Sequence, residues 1–260
     1  MGSWLVPWGV PGAGATVLVC LPQAGAGCRQ YRGWRAHLDV GAVIGVQLPG
    51  REERWNDPPA DRFDQVVEVV VTELAAMVAD DVHLVIYGHS FGGLIGYELA
   101  RAWGRRRGRW PAAVVVAACR PPALWVGAGR GLVDDETELA ALLGARGLDP
   151  KLLDEDSRAD LIEILRLDAR LSLSYRPGDG VTVPCRLEAW GGIGDETVTS
   201  GQLDGWSGYT TGPFRRRDLP GGHTFHSTSA GPALAALRDL LGTVASPHGP
   251  AGCRRVDPIV

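Results

Sequence analysis

Cysteine is scarce in this 260-residue chain, and what there is does not pair: Cys20, Cys28, Cys119, Cys185 and Cys253 are odd in number and scattered. There is no Cys-x-x-Cys and no pair of histidines at ligand spacing, so neither a disulfide framework nor a metal site is expected, and no cofactor. No apolar run reaches the roughly 18 residues a membrane helix needs. The stretch from Met1 to Trp8 lacks both a basic segment and a signal-length apolar core, which argues against a secretory leader. Neither sign of charge dominates: the net charge is −4, so no general attraction to nucleic acid or to an anionic membrane is expected. No internal repeat is present. Scattered thiols without a leader fit a reduced, cytoplasmic protein. What remains is the composition of an ordinary globule, 45% apolar, at a length that suits one α/β domain over residues 1–260 carrying an insertion.

One stretch organises the rest. Val82 to Ile86 is an apolar, branched run of the kind found in buried parallel strands. Tyr87-Gly88-His89-Ser90-Phe91-Gly92-Gly93 follows it, and Leu94 to Ala100 then reads as helix. A strand that becomes a helix through Gly-x-Ser-x-Gly is a nucleophile elbow. The serine sits at the tip of a turn too sharp for most residues, so Gly88 and Gly92 keep Cβ atoms away from it. The helix start below the serine aims backbone N–H groups at developing negative charge.

Other branched runs at Ala15–Leu21, Gly41–Leu48, Ala112–Cys119, Val183–Trp190 and Phe214–Leu219 supply further strands. Helical spacing falls at Tyr31–Leu38, Asp61–Val78 and Gly231–Leu241. The alternation predicts an α/β fold, a mostly parallel sheet with helices on both faces. Between about residues 120 and 177 the pattern changes to helices at Glu136–Leu143 and Leu161–Tyr175, an inserted helical lid over the active edge. Leu161, Ile164, Leu165, Ala169 and Leu173 share a face there; they either pack on the domain or line an acyl channel. The Arg105 to Arg109 cluster lies at the far end of the elbow helix, away from the site.

Ligands of parallel sheets gather at the carboxyl ends of the strands. The loop Pro22 to Gly27 ends an early strand, and backbone N–H groups of Gln23 or Ala24, with that of Phe91, are the expected oxyanion donors. Arg51 and Arg54 follow the next strand; they are either substrate- or carrier-binding cations or partners of the adjacent Glu52 and Glu53. Asp195, on the glycine turn Gly191-Gly192-Ile193-Gly194, stands where a catalytic acid belongs, with Glu196 and Asp168 as competitors. His223, on Pro220-Gly221-Gly222, stands where the base belongs, with His226 as its competitor. His83 and His89 read as structural.

Taken together, Leu21-Pro22-Gln23-Ala24-Gly25, Leu48-Pro49-Gly50-Arg51, Gly88-His89-Ser90-Phe91-Gly92-Gly93, Gly191-Gly192-x-x-Asp195 and Pro220-Gly221-Gly222-His223-x-Phe225 appear in an order that resembles the stand-alone type II thioesterases of polyketide and nonribosomal peptide assembly lines. The resemblance spans about Thr16 to Leu241. It implies an α/β-hydrolase fold and a triad of Ser90, Asp195 and His223. It also implies an editing hydrolase that clears acyl groups from the phosphopantetheine arm of acyl or peptidyl carrier proteins. Two positions depart from the family pattern: Glu196 stands where a proline usually follows the acid, and Gly25-Ala26 where Gly-Gly often occurs. A product-releasing esterase of the same fold and a non-catalytic assembly-line partner are the competing readings. A fused chain-terminating domain is disfavoured, since no carrier domain precedes the fold.

Overall fold

In the computed structural model, which describes residues 2–126, 130–131, 133–145, 153–178, 182–228 and 230–245, the branched runs line up as one seven-stranded sheet. Its strands are β1 (Leu5–Gly9), β2 (Thr16–Leu21), β3 (Ala42–Val46), β4 (His83–His89), β5 (Ala113–Ala117), β6 (Arg186–Gly192) and β7 (Phe214–Leu219). The order is β1-β3-β2-β4-β5-β6-β7, with β1 antiparallel to β3 and every other pair parallel. The sequence gives no strong signal for β1: it is a short edge strand containing Pro7, which is tolerated there because an edge N–H need not join the ladder.

The helices are α1 (Phe63–Met77), α2 (Phe91–Arg107), α3 (Glu136–Ala145), α4 (Glu155–Leu173), α5 (Ser200–Asp204), α6 (Phe225–Thr228) and α7 (Ala230–Ala245). Side chains of a strand alternate between faces, and the core divides accordingly. Val17, Val19 and Leu21 of β2 pack with Val66, Val70 and Leu74 of α1 and with Leu94 of α2. Leu18 and Cys20 pack on the opposite face with Tyr31, Trp34 and with Leu237 and Leu240 of α7. Each fully buried side chain of this kind contributes about 1.5–3 kcal/mol. The helix expected at Tyr31–Leu38 is of the 3-10 form and runs Cys28–Ala36. Three residues per turn put Cys28, Tyr31 and Trp34 in one row, and all three are buried. Cys20, Cys28, Cys119 and Cys185 are buried and form no disulfide among the described residues.

The 3-10 turn Pro122–Leu124, α3 and α4 are inserted between β5 and β6, where the helical insertion is expected. Leu139 and Leu143 of α3 pack with Ile162 and Leu165 of α4 in a small core of their own, and Ala24 packs against it. The end of α4 and the residues just after it join the main core through Leu171 and Tyr175. The Gly147 to Pro150 connection, the tail from Ser246 and Cys253 lie outside the described residues. At the far end of α2, Gly108 closes the helix in the left-handed conformation, φ 61°, after Arg105 to Arg107 in its last turn.

Candidate active site

Ser90 is half-buried between β4 and α2, with φ 52° and ψ −117°. A residue with a Cβ pays roughly 1–3 kcal/mol for such a conformation, so the surroundings must enforce it. They do: Ser90 N–H donates to the Ala117 carbonyl at 2.7 Å, and the next turn closes with Gly93 N–H on the Ser90 carbonyl at 2.9 Å. A Cβ on Gly88 would lie 2.1 Å from the Gly92 carbonyl oxygen. A Cβ on Gly92 would lie 2.3 Å from Leu21 O and 2.4 Å from Pro22 O. The two glycines thus let the start of α2 press against the end of β2. Phe91 begins α2, so its N–H has no acceptor within the helix. The Pro22–Gly27 loop, carrying Gln23 and Ala24, begins at the same place.

Asp195 and His223 meet because the turns after β6 and β7 bind each other. Ile193 N–H donates to Leu219 O and Gly194 N–H to Gly221 O, both at 2.8 Å. A Cβ on Gly192 would lie 2.2 Å from Gly222 O, so this approach also depends on glycine. Asp195 Oδ2 lies 2.9 Å from His223 Nδ1, and its side chain has no exposed surface. Asp195 Oδ1 accepts from Thr197 N–H at 2.8 Å, from Thr197 Oγ1 at 2.7 Å and from Val198 N–H at 3.1 Å. Thr197 Oγ1 is also 2.7 Å from His223 Nδ1. Burial pushes the Asp195 carboxyl upward, but the hydrogen bond and charge of His223 and the bonds from Thr197 outweigh it and hold the group below its usual range. Thr197 is a site residue that the sequence reading missed. The signal was the Asp-x-Thr spacing of an Asx turn, in which an aspartate accepts from the backbone two residues on. Glu196 is exposed and has no such position.

His223 is placed against the elbow by His89, whose Nε2 lies 2.8 Å from the His223 carbonyl and whose ring centre is 5.6 Å from the His223 ring. His226 stacks on His89 at 3.9 Å, and its Nε2 lies 2.7 Å from Gln30 Oε1. Burial, and then the charge of His223, lower the His226 pKa to about 3. His226 is therefore a buried neutral support, and His223 is the histidine that holds the carboxylate. Among the described residues no cluster of histidine, cysteine, aspartate or glutamate could hold a metal ion, and no helix is long and apolar enough to cross a membrane.

Arg51 and Arg54 differ from both readings of the sequence. Each is withdrawn from solvent, at 4% and 5% exposure, so neither offers the exposed charge that carrier docking requires. Their partners are not Glu52 and Glu53 either. Arg51 forms a two-pronged pair with Asp168 of α4, both contacts at 2.7 Å. Arg54 pairs with Asp57 at 2.8 Å, donates to Gln47 O at 3.1 Å and lies over the Trp4 ring at 4.4 Å. Glu52 instead accepts from the backbone N–H groups of Cys28 and Arg29, both at 3.1 Å. Asp168 does not take Asp195's place beside His223: besides Arg51 it accepts from Gly25 N–H at 2.7 Å.

A strained serine between a parallel strand and a helix, with an Asp-His pair on the following strand-end turns, defines the hydrolase class of the α/β-hydrolase fold. The chain belongs to the thioesterase-domain family, whose model matches residues 16–239. It is thus a serine thioesterase. It is similar to gramicidin S biosynthesis protein GrsT of Aneurinibacillus migulanus, 29% identical over 229 residues, which is 86% of this chain and 88% of that protein. Among solved structures it resembles RedJ, the thioesterase of the prodiginine pathway in Streptomyces coelicolor. The identity is 32% and the TM-score 0.78, over 86% of this chain and 85% of RedJ. It also resembles BorB, a type II thioesterase from the borrelidin cluster, at 27% identity and TM-score 0.80, over 93% of this chain and 99% of BorB.

Proposed function

We propose that this chain is an editing, type II thioesterase that hydrolyses acyl thioesters from the phosphopantetheine arm of carrier proteins in polyketide or nonribosomal peptide assembly. It works through a Ser90-His223-Asp195 triad and an acyl-enzyme. The assembly-line biosynthetic context of GrsT, RedJ and BorB supports the substrate class. The observation that carries the mechanism is the 2.9 Å Asp195–His223 contact held against the elbow of Ser90. With its Nδ1 proton shared between Asp195 and Thr197, the imidazole keeps Nε2 free to accept. Nε2 takes the Ser90 proton as Oγ attacks the thioester carbon. The resulting oxyanion is held by the N–H of Phe91 and by that of Gln23 or Ala24. Collapse expels the thiolate, which leaves with the proton from His223. Water then attacks the acyl-enzyme, giving its proton to His223, and the second collapse returns that proton to Ser90 as the free acid departs. A thiol with a pKa near that of free cysteine leaves more readily than an amine, so thioesters suit this site.

Intact-mass analysis of a panel of acylated carrier proteins tests the proposal, with matched oxygen esters alongside. Loss of the acyl mass from carriers, with the oxygen esters turned over far more slowly, is the expected result. Preference for the oxygen esters makes the chain a product-releasing esterase. Turnover of neither leaves a non-catalytic partner. Ser90→Ala should reduce hydrolysis to the roughly 10³–10⁴-fold over water that oxyanion binding alone supplies.

A further inference from the structure

The loop that carries the expected oxyanion donors is tied to the inserted helix by one carboxylate. Asp168 lies on α4, 2% exposed, and Oδ2 accepts from the backbone N–H of Gly25 at 2.7 Å across 143 residues of sequence. The same oxygen accepts from Arg51 Nη1, and Oδ1 from Arg51 Nη2, at 2.7 Å each. Arg51 Nη1 reaches on to Ala26 O at 3.4 Å. Gly25 holds φ 77°, a left-handed turn directly after Ala24, so the bond from its N–H fixes the peptide plane next to the donors. A second contact points the same way, since Ala24 packs on the Leu139, Leu143, Ile162 and Leu165 cluster of the insertion.

Fold stability gives a weak account of this arrangement. A buried ion pair loses about as much hydration as it gains in attraction, and Arg51 Nε is buried without a hydrogen-bond partner. Registry is the better-attested use of such pairs. We infer that Asp168 is a positioning residue: from the inserted helix it fixes the loop bearing the Gln23 and Ala24 N–H groups, so that the seating of α4 sets the rate of the chemical step. This rests on the serine-triad reading above. Oxyanion donors act only at a defined position, and a shift near 1 Å can cost about 100-fold in rate.

The test is the double variant Arg51→Met with Asp168→Leu, which removes the tie without leaving a charge buried and unpaired. It is compared with wild type in hydrolysis of an acyl-pantetheine thioester and in binding of an alkyl boronic acid, which forms a tetrahedral oxyanion on a reactive serine. The expected result is kcat lower by about 10- to 100-fold, KM within about threefold, and boronate affinity lower by the same factor as kcat/KM. A kcat within about twofold of wild type, or a change confined to KM, overturns the inference. Should the variant not fold, amide exchange on the wild-type protein decides: boronate binding should protect residues 23–26 and the α4 turn around Asp168 together, and protection of the loop alone overturns the coupling. Ser90→Ala keeps the two claims apart. If it stays active and the boronate does not bind wild type, the serine reading fails and this inference falls with it. If Ser90 is essential but kcat ignores the double variant, only the positioning role fails.

Discussion

The two flanks of Ser90 are built in different ways. On the β6–β7 side, backbone turns bind each other and bring Asp195 and His223 together across only 28 residues of sequence. On the β2–β3 side, the loop carrying Gln23 and Ala24 is held by side chains from afar: Asp168 lies 117 residues from Arg51 and 143 from Gly25. The first flank places its groups by glycines that admit close approach. The second places them by a buried carboxylate and guanidinium whose charges must match. A flank of the first kind tolerates side-chain change outside the reacting groups. A flank of the second kind is sensitive at residues that never touch substrate.

The largest effect that would sharpen this contrast is at the acid. Asp195→Asn should lower kcat by about 10⁴-fold with the fold intact, because the amide cannot hold the imidazole tautomer or stabilise the imidazolium. Steady-state kinetics with circular dichroism check it. A greater loss in Glu196→Gln would move the acid and undo the assignment.

A smaller effect is expected at Thr197, the hydroxyl shared by Asp195 and His223. Thr197→Val removes a hydrogen bond to a charged group, worth about 1.5 kcal/mol, and should cost about tenfold in kcat. The sign of the pH effect follows from the same bond. Thr197 helps to hold the Asp195 carboxyl down, so its loss raises that group toward the ordinary carboxylate range, a change read in the pH titration profile of the Asp195 carboxyl carbon by NMR. An unchanged profile at unchanged kcat would leave Thr197 a loop residue only.

The smallest effect probes the contact between the flanks, where His226 stacks on His89 and holds Gln30, which in turn reaches Gln23 at 3.5 Å. The His226 pKa is lowered from 6.5 to about 3, so below 6.5 the unfolded chain binds a proton that the folded chain refuses. Stability is therefore full above that pH and falls toward about pH 3, by up to roughly 1.4 kcal/mol per pH unit. Urea unfolding at several pH values should show this slope in wild type and a shallower one in His226→Gln. Parallel curves would mean that His226 is not buried neutral.

How much of this was legible in the sequence follows the same division. The elbow, the strands around it and the Asp195 and His223 turns are local patterns in which glycine spacing and branched runs suffice, and the alternation of elements carries the sheet. Leu18 and Val19 face opposite sides of the sheet, as period-2 alternation requires. Arg51 was legible as a residue at the active edge but not as a buried one. Its burial depends on Asp168, and no local pattern links two residues in different elements. The 3-10 form of Cys28–Ala36 was hidden for a related reason: i, i+3 burial against the sheet, a tertiary demand, decided between two helical periods. β1 went unseen because an edge strand needs little hydrophobic patterning.

The central claim, that a serine held at the elbow carries the acyl group between thiol and water, is tested most directly by trapping that intermediate. Wild-type protein mixed with an acylated carrier and quenched in acid before one turnover is complete should show the acyl mass on the peptide containing Ser90, appearing as the carrier loses it and decaying to free acid. Absence of any enzyme-bound acyl group while the carrier is being cleared, or an adduct on another residue, would contradict it.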